Sequence, residues 1–302
     1  MRIFLTNSAS HLQRSLRKHG FEVGRVEYYA FADGERSYRL KDGVEGELAG
    51  VVGSVLPDPQ SLFDLMALHQ LARENGAKET FLIVPYLGYA RQDRPSRPGE
   101  GSIGVMVVEL LQEINPSHLI LIDVHSDLIR KALGPQVREL SALPLFAKAL
   151  SNRPPDVVVS PDAGYASRAK QLSGLLHSHP AVAVIDKVRP RPNRAVARSL
   201  QGDVRGKDIV LVDDIIDTGR TLAEAVKLVI RGGAKRVRLA ATHGIFSGDA
   251  RERLSSLPID EIFITNTLPQ TRHPKIHTLD FISLVRNALQ PHPHLETEQI
   301  RD

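Results

Sequence analysis

Cysteine and tryptophan are both missing from the 302 residues. Without cysteine there can be no disulfide framework, no thiolate metal site and no cysteine nucleophile, and a reducing compartment is the natural setting. Without tryptophan, with aromatics at only 5% and with no recognisable reading motif, a nucleic-acid-binding module is disfavoured. No apolar run approaches the ~20 residues of a membrane span. The opening MRIFLTNSASHLQ carries too short an apolar stretch for a signal peptide. No GxxxxGK[ST] segment occurs, so a Walker loop is excluded as the means of holding a nucleotide. Together these absences predict a soluble cytoplasmic protein that meets neither nucleic acid nor membrane.

What is present is ordinary globular composition, 42% hydrophobic and 25% charged, in a chain long enough for about two domains. Short apolar runs alternate with amphipathic stretches. Strands are expected at Ile3–Thr6, Leu48–Val55, Thr80–Tyr86, His118–Val124, Val157–Ser160, Ala181–Ile185, Asp208–Val212, Val237–Ala241 and Glu261–Asn266. Helical patterns include Leu62–Glu74, Val105–Ile114, Tyr165–Leu176, Leu222–Arg231 and Phe281–Leu289. Runs of Val, Ile and Leu without alternation read as strands buried on both faces. Strand–helix alternation then predicts an α/β fold with mostly parallel sheets, whose ligands bind beyond the carboxyl ends of the strands. The pattern runs twice, with Ser151–Pro155 as the plainest seam, giving domains of 1–145 and 146–302. The tail from Pro291 reads as a frayed polar end, so a solvated role for His292 and His294 is preferred to metal binding.

The strongest chemical signal is Ile209–Thr221, IVLVDDIIDTGRT. An apolar strand leads to Asp213 and Asp214, then to a loop with Asp217, Thr218 and Gly219, then through Arg220 and Thr221 into a helix. Glycine and threonine at such a turn present N–H and hydroxyl groups to a phosphate at the helix N-terminus. Carboxylates repel phosphate, so the three acids make sense as partners for the hydroxyls of a sugar whose phosphate sits in the loop. A merely capped strand end would not need three of them.

This segment resembles the phosphoribosyl diphosphate (PRPP) motif of type I phosphoribosyltransferases and of ribose-phosphate diphosphokinases, the PRPP synthases. The motif alone leaves synthase and transferase open. Phe31–Glu35 (FADGE), Pro85–Arg94 (PYLGYARQDR), Asp123–Ser126 (DVHS), Val158–Lys170, Asp186–Pro190 (DKVRP), Thr242–Gly248 (THGIFSG) and Thr265–Pro269 (TNTLP) resemble synthase landmarks in synthase order. The likeness runs from Met1 to about Leu289 and favours the synthase. It implies two similar phosphoribosyltransferase-like α/β domains, with ATP on the first and ribose 5-phosphate on the second.

Roles follow residue by residue from that resemblance. Arg91 and Gln92 contact ATP, in a loop where Arg94 and Arg97 add further donors suited to a triphosphate. His125 and Asp162 flank a Mg²⁺–nucleotide, with Asp162, Ala163, Gly164 and Tyr165 as the pyrophosphate loop. Asp213, Asp214, Asp217, Thr218, Gly219, Arg220 and Thr221 hold ribose 5-phosphate. Lys187 and Arg189 are the catalytic pair, in a stretch (Asp186–Arg198) of five cations and one acid read here as an extended loop closing over the polyphosphate. Phe31, Asp33 and Glu35 reach the adenine site of a neighbouring subunit, so the resemblance implies a homo-oligomer, at least a dimer, with a shared ATP site.

Some features depart from the family. Pro98-Gly99-Glu100 looks more like archaeal-type synthases than like bacterial and animal enzymes, so it does not carry over the phosphate activation and ADP inhibition of the regulated class. Tyr165 stands where glycine is usual, and its ring is expected to crowd the site or to stack on the nucleotide. Val188 and Arg220 are milder changes. A phosphoribosyltransferase or a catalytically silent, synthase-like regulatory subunit are the alternatives. Gly99-x-Gly101-x-x-Gly104 fits a dinucleotide fingerprint, but RQDRPSRP before it cannot be the strand that the fingerprint requires.

Overall fold

The computed structural model describes residues 1–191 and 194–289, with backbone alone for 187–191 and 194–198. His292 and His294 lie outside the described residues. Two parallel sheets carry the fold. The first is built from β1 (Arg2–Leu5), β2 (Glu22–Val23), β5 (Leu48–Val52), β6 (Glu79–Val84), β7 (His118–Ile122) and β8 (Val137–Leu140), in the order β2-β1-β5-β6-β7-β8. A separate antiparallel hairpin, β3 (Val26–Ala30) and β4 (Arg36–Leu40), stands beside it. The second sheet runs β11 (Arg194–Gln201), β10 (Ala181–Arg191), β9 (Val157–Ser160), β12 (Asp208–Ile216), β13 (Arg236–Gly244), β14 (Glu261–Thr265) and β15 (Ile276–Leu279). All its pairings are parallel except β10 with β11.

The period of two along a strand explains why these runs are apolar throughout. In the first sheet Val51, Leu82, Val84, Leu119 and Leu121 face α2 (Pro59–Glu74), α3 (Ile103–Glu113) and α4 (Asp127–Ala132). Their neighbours Ile3, Val52, Ile83, Ile120 and Ile122 face the opposite side, against α1 (Gln13–Lys18) and α9 (Ile282–Leu289). The second sheet repeats the arrangement. Val157, Val159, Ile209, Leu211, Val237 and Leu239 pack on α7 (Arg220–Arg231) and α8 (Ala250–Ser255), while Val158, Val210, Val212 and Ala240 pack on α5 (Leu143–Leu150) and α6 (Ala166–Leu175). Each such side chain, fully buried, contributes about 1.5–3 kcal/mol.

The chain crosses between the sheets before residues 151–155, because α5 already packs on the second. It then returns. Phe281, Ile282 and Val285 complete the first core, and Asp280, which accepts from Ile282 N–H, is bound by Ser15 of α1, by His19 just after that helix and by Asn266. The two halves are thereby joined at several points.

Two local readings change. Residues 186–191 and 194–199 pair as antiparallel strands, with Asp186 opposite Ser199 and Val188 opposite Val196; the register shift between Val188 and Arg191 accommodates Pro190 within the strand. The PRPP-type strand does not stop at the acids but continues to Ile216, since Ile215 and Ile216 still pair with His243 and Gly244. The Gly99–Gly104 stretch begins far beyond the end of β6 at Val84, with loop rather than a strand before it, and runs into α3.

Candidate active site

The carboxyl ends of the two sheets face each other. Leu211 of β12 pairs with Val159 of β9, so Asp162 and the Asp213–Asp214 pair leave the same edge of adjacent strands. Beyond Ile216, Asp217 and Thr218 form a short loop and Gly219 turns into α7 with φ +68°. That left-handed conformation favours glycine, and a Cβ there would also stand 3.2 Å from Leu254. No side chain caps α7; its first N–H groups and positive dipole end face the loop. Thr218 and Arg220 are exposed and Thr221 is half-buried.

From the first domain two side chains cross to this loop. Arg91 Nη1 lies 2.6 Å from Asp217 Oδ2. His125 Nδ1 hydrogen-bonds Asp214 Oδ2, which leaves Nε2 for a ligand and fixes the ring as a carboxylate–histidine pair does. Burial works against a charged His125, yet the hydrogen bond and charge of Asp214 outweigh it and raise the imidazole pKa. Burial also works against the Asp214 anion, whose pKa is nonetheless lowered by His125. For Asp217, burial is again opposed and overcome, here by hydrogen bonds from Ser247 and Arg91.

The arginine loop and the histidine loop are tied together. Ser126 Oγ donates to Asp93 at 2.6 Å while accepting from the first N–H groups of α4. Gln92 is exposed, and its carbonyl accepts from Gly104 N–H at the start of α3. In the 162–165 turn, Asp162 Oδ1 accepts from Tyr165 N–H at 3.1 Å, and Ala163 and Gly164 are exposed. The Tyr165 ring is drawn against the core beneath the loop instead of standing over it. Burial, then the charges of Asp123, Asp214 and Asp213, raise its phenol well above the ordinary value.

The structure adds residues to which the sequence assigned no role. Asp123, buried and at φ +37°, accepts from Ala142 N–H at 2.8 Å and from Thr242 Oγ1, across the domain junction, at 2.7 Å. His243 Nε2 lies 3.2 Å from the Ile122 carbonyl and 3.3 Å from that of Asp123, so this nitrogen carries the proton and Nδ1 accepts from Thr267. Arg168, one turn into α6, reaches Glu139 at 2.9 Å and Asp123 at 3.5 Å. Glu139 also accepts from Val124 N–H. The His125 strand end is thus held from both domains. DVHS and THGIFSG marked these segments, but only the three-dimensional contact shows what Asp123 and His243 bind.

Other expectations are placed differently. Phe31–Glu35 is the exposed tip of the β3–β4 hairpin, where Asp33 Oδ1 accepts from Glu35 N–H and Phe31 meets Tyr29 edge-on at 5.3 Å. Among the described residues no hydrogen bond or ion pair joins this tip to Arg91, His125 or Asp217. Lys187 and Arg189 lie on β10, and their side chains fall outside those described. Among the described residues no group of three or more His, Asp or Glu side chains is arranged to hold a metal ion. That donor set still fits Mg²⁺ delivered with a polyphosphate, because this ion keeps waters and phosphate oxygens and takes only one or two carboxylates.

Two parallel-sheet domains whose strand ends meet over paired acids and a glycine-started helix define the phosphoribosyltransferase-like α/β class. Comparison with known proteins narrows it. Residues 1–114 match the N-terminal domain of ribose phosphate pyrophosphokinase, and residues 157–297 match the phosphoribosyl synthetase-associated domain. The ribose-phosphate pyrophosphokinase of Aquifex aeolicus is 35% identical over 86% of this chain and 85% of its own. That of Fusobacterium nucleatum is 33% identical over 94% and 91%. The phosphoribosylpyrophosphate synthetase of Mycobacterium smegmatis superposes with a TM-score of 0.85 at 31% identity, covering 95% of this chain and 96% of that one. The chain belongs to the ribose-phosphate pyrophosphokinase family of enzymes. These relatives are bacterial, so the archaeal-type likeness drawn from Pro98-Gly99-Glu100 is not borne out; a three-residue loop match weighs little against identity across the chain.

Proposed function

We propose that this enzyme transfers the β,γ-diphosphoryl group of MgATP to the anomeric hydroxyl of ribose 5-phosphate, giving PRPP and AMP. The sugar O1 attacks the β-phosphorus, the bond from that phosphorus to the α,β-bridging oxygen breaks with its electron pair leaving on that oxygen as AMP, and O1 gives up its proton to solvent. The observation that carries this reading is the meeting of the two expected substrate sites: Arg91 with Asp217, and His125 with Asp214.

The division of labour follows from charge. Asp213, Asp214 and Asp217 receive the ribose hydroxyls, and Thr218, Gly219, Arg220 and Thr221 surround the 5-phosphate at the start of α7. Arg91, Gln92 and His125 engage the ATP phosphates, with the raised pKa of His125 favouring its charged, donating form. Asp162 is the carboxylate that would hold Mg²⁺, while the charged His125 would donate from Nε2 to a phosphate oxygen of the Mg²⁺–nucleotide; when bound, the ion would neutralise polyphosphate charge. Lys187 and Arg189, on a hairpin rich in cations, steady the oxygens that gain charge as the diphosphoryl group moves. The exposed tip with Phe31, Asp33 and Glu35 serves the adenine site of a second subunit in a homo-oligomer. Among the described residues no helix is long and apolar enough to cross a membrane, and cytoplasm is the compartment that the absence of cysteine favours.

The test is direct. With Mg²⁺, ATP and ribose 5-phosphate, AMP should appear only when the sugar is present. Pyrophosphate released from PRPP and a nucleobase would instead establish a transferase, and no turnover in either assay would establish a silent subunit.

A further inference from the structure

The segment after β13 grips the ribose loop at three consecutive residues. Ser247 N–H donates to the Asp217 carbonyl at 3.2 Å. Arg253 Nη1 donates to the Thr218 carbonyl. Leu254, fully buried, fills the space against Gly219. Arg253 is itself fixed, because Nη2 meets both carboxylate oxygens of Asp249, at 2.7 and 2.6 Å, one turn earlier at the start of α8. With Nη2 shared between both oxygens of one carboxylate, the planar guanidinium leaves Nη1 little freedom of direction.

The consequence follows from the planar trans peptide, in which C=O and N–H point in opposite directions. Drawing the Asp217 carbonyl toward Ser247, just before α8, turns the Thr218 N–H away from Ser247. Drawing the Thr218 carbonyl toward Arg253 does the same for the Gly219 N–H. Two successive amides directed to one side beside a helix N-terminus make an anion-receiving concavity. Arg253 does not face the ligand; it works from behind the loop.

We infer that Arg253, held by Asp249, is a positioning residue for the ribose 5-phosphate site, setting the Thr218–Gly219 peptide so that its N–H meets the 5-phosphate. This rests on the reading of the Asp213–Thr221 segment as the ribose 5-phosphate site. Among the described residues the Arg253 guanidinium hydrogen-bonds a backbone carbonyl and a surface carboxylate, a modest structural role, so its loss should act on one substrate and little on the fold.

The experiment compares wild type with Arg253→Met, Arg253→Lys and Asp249→Asn, measuring steady-state kinetics and the rise in melting temperature given by ribose 5-phosphate alone. Arg253→Met should raise KM for ribose 5-phosphate about tenfold or more while KM for ATP stays within about twofold. It should also lose the thermal protection by ribose 5-phosphate, with the unliganded melting temperature nearly unchanged. Arg253→Lys should recover part of the effect, since one donor returns without the fork. Asp249→Asn, which frees the fork without touching the loop, should shift the same KM by less and covers the case in which Arg253→Met fails to fold. Wild-type KM and protection in Arg253→Met, or equal changes toward both substrates, would overturn the inference. Asp214→Asn separates the two readings. If it abolishes protection while Arg253→Met does not, the positioning role falls alone; if ribose 5-phosphate fails to protect even the wild type, the reading of the site falls.

Discussion

Arg91 Nη1 stands 2.6 Å from Asp217 Oδ2, so a cation expected to meet ATP is held, without substrate, by an acid of the sugar-phosphate loop. The pair is half exposed and adds little to stability. Its importance is positional, because it places the two loops within one side-chain length of each other. Arg91→Met should raise KM for ATP about tenfold or more, through loss of a charge-assisted phosphate contact. Unchanged kinetics toward both substrates would remove Arg91 from the site.

The His125–Asp214 pair predicts a non-additive stability effect. Asp214 is only 6% exposed, so removing its partner leaves a buried, uncompensated carboxylate. His125→Ala should lower the melting temperature, and adding Asp214→Asn should restore part of the loss by removing the orphaned charge. A thermal double-mutant cycle measures this coupling; simple additivity would mean that the two side chains do not interact. The same His125→Ala enzyme should show a raised KM for MgATP.

For Lys187 and Arg189 the expected change is in turnover. Arginines acting on a transferring phosphoryl group contribute about 10³–10⁵ in rate. Lys187→Ala and Arg189→Ala should therefore lose kcat by orders of magnitude with KM values little altered, and full activity in both would sink the catalytic assignment.

Acid sensitivity has a traceable source in His69. Its ring is fully buried in α2, with Nε2 2.9 Å from Thr80 Oγ1, and burial, with the nearby charge of Arg73, lowers its pKa from 6.5 to about 4. The unfolded chain therefore binds the proton first as pH falls below 6.5, and stability declines until the folded ring protonates near pH 4. At 1.36 kcal/mol per unit the loss is about 3 kcal/mol. In urea titrations between these limits, His69→Gln should flatten that part of the stability–pH curve; an unchanged slope would assign the acid loss to other groups.

Much of this was legible in the residues. Unbroken Val, Ile and Leu runs announced strands covered on both faces, and glycine, hydroxyls and acids at the Asp213–Thr221 strand-to-helix turn carry the sugar-phosphate role proposed for it. The basic stretch 186–198 was recognised as extended, but its pairing as a hairpin depends on register between two segments that carry no turn signature beyond their prolines. Tyr165 enters the pyrophosphate loop only through the family resemblance, which does not say where a ring in place of glycine goes; the ring packs on the α5–α6 core, which offers apolar area that solvent cannot.

By itself the sequence determined the class: parallel sheets from doubly buried strands, a PRPP-type loop from its acids and glycine, and family membership from landmarks spread along the chain. Only the tertiary structure decided which landmarks act together. Asp123 and Thr242 are 119 positions apart, as Arg91 and Asp217 are 126 apart, and hydrogen bonds and ion pairs depend on distances of a few ångströms that no local pattern encodes. The absence of cysteine and tryptophan excluded whole chemistries at the outset. Two sheets meeting at their carboxyl ends, and a last helix returning to the first core, brought acids, arginine and histidine into a single site.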